Sequence, residues 1–229
     1  GAGDTSATAQ SVGTLVHAVA ETALDAASST EEALLGRLEQ LLPSVDLGSG
    51  WVAEKERAKA EAMVRRLAGW FARHGREVVA TELGFSATVD RAVLGGRIDR
   101  LERDDLGRGV VIDVKTGSSK VPADELAAHG QLATYQLAVE RGAFAELGIV
   151  ASGGAELLQV GKAAGKDAAV QAQPALADHD DPDWARALVL DVAEGMAGSA
   201  FRAVDNRYCG VCPVRTSCPV QDEGRQVTG

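Results

Sequence analysis

Residues 110–119 read VVIDVKTGSS, a β-branched run that carries an aspartate and a lysine two places apart and then stops at Thr-Gly. Side chains in a strand alternate between faces, so Val111, Asp113 and Lys115 share one face while Val110, Ile112 and Val114 share the other. A charged pair on a strand of core character needs partners, because unpaired buried charge is costly. The stretch therefore predicts an interior strand that ends in a polar site.

Two strand-like runs precede it, VVATELGFSATV (78–89) and RAVLGGRIDRLE (91–102), and the turn RDDLG links the second to the run at 109–117. If those two runs pair as a hairpin, the carboxylates of Asp99 and Asp113 converge, with Lys115 one step further along the same face. Carboxylates held close either share a proton or hold a cation between them. Oxygen donors of this kind suit Mg²⁺ or Mn²⁺. An edge carrying Asp, Asp and Lys thus points to phosphoryl transfer, with the ammonium stabilising charge on oxygen.

Helical periodicity covers 12–42, where Val12, Leu15, Val16 and Val19 recur at spacings of three and four, and again 51–73. One helix is expected over 123–140 and another over 183–199. ELGIVAS and ELLQVG read as two short strands around Gly153-Gly154, and 161–180 as a surface connection or lid. The expected order is a helical front (12–74), a catalytic α/β core (77–160) and a C-terminal helix with a cysteine-rich tail (181–229), all in one domain over 1–229. Gln131 and Tyr135, four apart, share a helix face directly after the strand unit. His17 lies among apolar residues in GTLVH, as a core histidine or as a neutral imidazole ligand.

Composition narrows the function. Thirty-three acids against 23 bases give a formal charge of −10, which argues against capture of nucleic acid by a broad basic face. No apolar run reaches 18 residues, so no membrane partner is expected, and the opening GAGDTSATAQ lacks the pattern of a secretory signal. The three cysteines cluster as CGVCPVRTSC near the end, which speaks against a secreted disulfide framework and for a reducing interior.

GTLVH (13–17), GRID (96–99), DVKTG (113–117) and QLATY (131–135) together resemble the RecB-like branch of the PD-(D/E)XK nuclease superfamily. The resemblance implies a restriction-endonuclease-like α/β core with a central mixed sheet flanked by helices. It implies metal ligation by His17, Asp99 and Asp113, with Lys115 assisting the attacking water and Gln131 and Tyr135 supporting the site. The proline of the superfamily name is missing, and Asp99 follows Arg97-Ile98 instead.

The tail, with Cys209, Cys212 and Cys218, resembles the closing part of the iron-sulfur staple of AddB/AdnAB-type helicase-nucleases, which implies a [4Fe-4S] cluster. Three thiolates can fill three positions of a zinc ion or a cubane, and with no cysteine before Cys209 the fourth position is open to Asp205, His17 or an exogenous thiol. The implied protein is a cytoplasmic bacterial deoxyribonuclease domain acting in double-strand break repair and recombination. A helicase motor in an ATP-binding parent chain would deliver single-stranded DNA, alongside a partner helicase-nuclease subunit, with Arg97, Arg100, Lys115, Lys120 and Arg207 lining the entrance. The alternatives are a free-standing exonuclease and a catalytically silent DNA-binding module.

Overall fold

The computed structural model describes residues 2–164, 167–200 and 203–225. Two compact units divide the chain, Gly1–Val189 and Leu190–Gly229. In the first, helices α1 (Ala2–Ala20), α2 (Glu31–Leu41) and α3 (Trp51–Phe71) precede strands β1 (Glu77–Val89), β2 (Ala92–Arg103) and β3 (Gly109–Lys115). Helices α4 (Ala123–Leu126) and α5 (Gly130–Glu140) then lead to β4 (Ser152–Ala164) and β5 (Asp167–Gln173). The five strands form one mixed sheet in the order β1-β2-β3-β4-β5, antiparallel throughout except for the parallel pair β3/β4. A parallel neighbour requires a crossover, and α4 and α5 supply it.

The alternation in β3 is as its sequence predicts. Val110, Ile112 and Val114 pack against the helical front, in a core with Leu15, Val16, Leu38, Leu67 and Trp70. Val111 faces the other way, into a core with Ile98, Leu101, Leu132, Tyr135 and Leu157. Both faces of β3 are thus covered, which is why the strand reads as a nearly continuous β-branched run.

Four expectations need correction. The helical pattern over 12–42 breaks after Ala20: the Asp25 carboxylate accepts from the Ser28 amide at 2.8 Å, and Thr30 caps a new helix by accepting from Ala33 N at 3.2 Å. The helix expected over 123–140 divides before Gly130, where the His129 ring caps α5. The connection expected over 161–180 contains the end of β4 and all of β5, whose Gln171 side chain both accepts from Val121 N and donates to Val121 O. Alanine and glutamine dominate DAAVQAQ, so it carries little strand signal of its own. The two short strands expected around Gly153-Gly154 are one strand, β4, entered after a short 3₁₀ turn at Ala145–Leu147. No described helix is long and apolar enough to cross a membrane.

Candidate metal and catalytic centre

Where β1, β2 and β3 meet, the ladders break. Thr81 pairs with Arg100 and Leu83 with Ile98, leaving Glu82 and Asp99 facing one another outside the register, with Glu82 at φ 47°. The β2/β3 ladder ends at Arg100–Ile112, one step before Asp99 and Asp113. The carboxylate of Asp99 takes over the backbone pairing there, accepting from Val114 N at 2.7 Å. A left-handed backbone at a non-glycine residue is strained, and it is held here at an acid that lies within β1 but outside its pairing with β2.

His17, in the last turn of α1, comes down on this break. Its Nδ1 lies 3.5 Å from Asp99 Oδ2, and donor atoms of His17, Glu82 and Asp99 all lie within 4.8 Å of one another. They border an open depression of about 370 Å³, which Glu21 also lines. Among the described residues this is the one such group of three. Asp99 holds the His17 ring above the usual imidazole range against the opposing effect of burial. Burial pushes the Glu82 carboxyl up and the charge of Asp99 adds to it, while Arg97, 3.5 Å away, works in the opposite direction.

Beside this group lies a second, hydrogen-bonded one. Asp113 Oδ1 accepts from Gln131 Nε2 at 2.9 Å and from Tyr135 OH at 3.1 Å, and Gln131 Nε2 also donates to Tyr135 OH at 2.8 Å. Lys115 Nζ sits 2.7 Å from Asp113 Oδ2 and donates to Gln131 Oε1 at 3.0 Å. The ammonium is the sole partner of Asp113 Oδ2 among the described residues. Burial raises the Asp113 carboxyl despite Lys115, and burial together with Asp113 raises the Tyr135 hydroxyl far above its usual range.

All six residues singled out in the sequence therefore fall into two adjoining groups. His17 and Asp99 share the first; Asp113, Lys115, Gln131 and Tyr135 make the second. Glu82 joins the first without having been foreseen. Its signal was an acid inside the strand run VVATELG, placed opposite Asp99 once β1 and β2 pair. Arg100, expected at the entrance, is instead buried: it is 5% exposed and bonded to Glu102 at 2.6 Å.

An imidazole and two carboxylates, with burial and the Asp99 charge working against the charged form of Glu82, are a donor set that a hard divalent cation would relieve. The second unit has no comparable group among its described residues. Cys209, Cys212 and Cys218 are half-buried free thiols, and their sulfurs do not gather within the 4.8 Å seen for His17, Glu82 and Asp99. Asn206 N donates to Cys209 Sγ at 3.2 Å and favours its thiolate, but Asp205, desolvation and Cys218 outweigh it and hold the thiol above its usual range.

A mixed sheet whose broken edge gathers His17, Glu82 and Asp99 beside an Asp-Lys pair offers a group that could hold a metal ion. The model of the PD-(D/E)XK nuclease superfamily matches residues 2–219, and the chain belongs to that superfamily, a group of metal-dependent nucleases. A solved structure titled "Crystal structure of SSO0001" is similar at 17% identity over 90% of this chain and 85% of that one, with a TM-score of 0.41. No curated protein matches the chain.

Proposed function

We propose that this chain is a Mg²⁺- or Mn²⁺-dependent deoxyribonuclease, working as the nuclease domain of an AddB/AdnAB-type helicase-nuclease in bacterial double-strand break processing, in the cytoplasm. The observation that carries the hydrolase reading is the convergence of His17, Glu82 and Asp99 beside the Asp113-Lys115 pair. A divalent cation, when bound, lowers the pKa of water and offsets charge on the phosphodiester.

The residues of the chain would divide the rest of the work. His17 offers a ring nitrogen, and Glu82 and Asp99 each offer an oxygen. Asp113 Oδ2, with only the Lys115 ammonium against it, is the further oxygen available. Tyr135 and Gln131 fix the Asp113 carboxylate through Oδ1, and Gln131 also orients Lys115. The ammonium is thereby aimed where negative charge develops on the attacked phosphodiester, without reorganising during the reaction. A side chain arranged in this way contributes most in the transition state, when that charge is largest.

A formal charge of −10 supports delivery of a strand by a motor over capture from solution. The Cys209, Cys212 and Cys218 triad supports an iron-sulfur staple whose fourth ligand comes from elsewhere.

Incubation of the protein with end-labelled single-stranded DNA and Mg²⁺ or Mn²⁺ is expected to yield 5′-phosphate and 3′-hydroxyl products, and chelation to stop the reaction. Absence of cleavage by the protein, both alone and with its motor present, would overturn the enzyme reading. Iron content after anaerobic purification tests the cluster separately.

A further inference from the structure

One cavity beside the centre takes no part in the chemistry above. Its volume is about 260 Å³, and Lys59 of α3 lines it together with Thr116, Gly117 and Ser118, the turn that follows β3. Val12 and Met63 close its apolar side.

The backbone is arranged to bring this turn in close. A Cβ on Gly161 of β4 would overlap the carbonyl oxygens of Thr116 and Gly117, so only glycine lets the strand pass there. A Cβ on Gly13 of α1 would lie 3.0 Å from Thr116 Oγ1, so the hydroxyl sits tight against that helix. Neither the Thr116 nor the Ser118 hydroxyl has a hydrogen-bond partner among the described residues. Lys59 carries only a half-exposed ion pair, Nζ to Glu56 Oε2 at 3.4 Å, of the kind that exchanges readily. Two hydroxyls without a protein partner and an ammonium held only by that loose ion pair around a pocket of this size are the complement of a phosphodiester oxygen.

We propose that this pocket binds a DNA backbone phosphate adjacent to the one being cut, an inference that rests on the nuclease reading. Thr116 directly follows Lys115, and alternation turns it to the opposite face of β3, toward α1 and α3. A strand crossing the end of β3 meets Lys115 with one phosphate and the Thr116-Ser118 turn with a neighbour. The pocket sets where along the backbone the strand is held, and so which bond reaches the centre.

The test measures binding of a short single-stranded oligonucleotide to the full chain by fluorescence anisotropy, once in EDTA and once in Ca²⁺. Lys59→Ala and Ser118→Ala are expected to weaken binding about tenfold together, with Lys59→Arg restoring most of it. Removing one ammonium from a phosphate lowers the slope of log K against log salt by about 0.7. A methylphosphonate walked along the oligonucleotide should weaken the wild type at one position and leave the double variant indifferent there. Equal affinities, an unchanged slope, or no binding by the wild type in either condition overturns the subsite. Cleavage measured on the same preparations separates the two readings. A chain that cuts DNA with affinity unchanged in every variant loses only the subsite, whereas one that binds through the pocket but cuts nothing loses only the nuclease assignment.

Discussion

The sheet carries two charged clusters, and they are built on opposite plans. In one, Arg76 bonds Glu102 at 2.8 Å and both oxygens of Glu156 at 2.9 and 3.0 Å, while Arg100 bonds Glu102 at 2.6 Å and donates to the Ala23 carbonyl. Two guanidiniums meet two carboxylates, and Arg100 also lies over the Phe71 ring with its carbon 4.5 Å from the centroid. In the other, Glu82, Asp99 and Asp113 are faced by the Lys115 ammonium, the His17 imidazole and, 3.5 Å from Glu82, the exposed Arg97 guanidinium. Balanced charge with its groups mutually engaged holds a fold together. Acids crowded together, with burial opposing the ionisation of Glu82 and Asp113, are a cost the fold carries for a ligand or a reaction.

The sharpest way to break this comparison is Glu102→Ala in the balanced cluster. It takes the carboxylate from the buried Arg100 guanidinium and one of the two carboxylate partners from Arg76, and is expected to cost about 3–5 kcal/mol in chemical denaturation. Cleavage per folded molecule should stay near wild type, and a stable variant that has lost activity would refute the division. Next, Asp99→Asn in the acidic cluster is expected to lower kcat by about 10²–10³-fold while the melting temperature holds or rises. Single-turnover kinetics with a thermal scan checks both halves.

Glu82→Gln sharpens the picture at a residue that joined the centre only in three dimensions. The expected outcome is about a 10–100-fold loss of Mn²⁺ affinity by calorimetry, and unaltered affinity would take Glu82 out of the donor set. Tyr135→Phe removes one bond to Asp113 and one to Gln131, and should reduce kcat about tenfold with little change in metal binding.

The smallest effect concerns His129, the cap of α5, whose ring burial and the Lys115 charge hold below the usual imidazole range. A base with a depressed folded-state pKa is protonated first in the unfolded chain. Stability should therefore fall as pH drops below about 6.5 and level off beneath the folded-state value. His129→Asn keeps a cap and should flatten that part of the profile in melting curves taken between about pH 7 and 5.

How much of this was legible from the sequence differs between residues. β3 was, because burial on both faces writes itself as Val and Ile around the two charges of DVK. Gln131 and Tyr135 were, because four residues along a helix return to the same side. The break between α1 and α2 was not, since it depends on side chains of Asp25, Ser28 and Thr30 bonding to nearby backbone within a stretch whose apolar spacing still suits a helix. β5 was hidden as well, because small residues hold it in place by pairing with β4 and by Gln171, and neither leaves a periodic trace.

The amino-acid order alone determined that β3 is an interior strand and that its end is polar, because local alternation is a property of the chain itself, while the set of six side chains near it followed from the resemblance of four short motifs to a family. Only the tertiary structure decided that Arg100 turns inward to a buried ion network while Glu82 turns to His17 and Asp99. That choice depends on where two antiparallel ladders fail at the same point. A failure of register is a relation between strands far apart in sequence, and no single segment contains it.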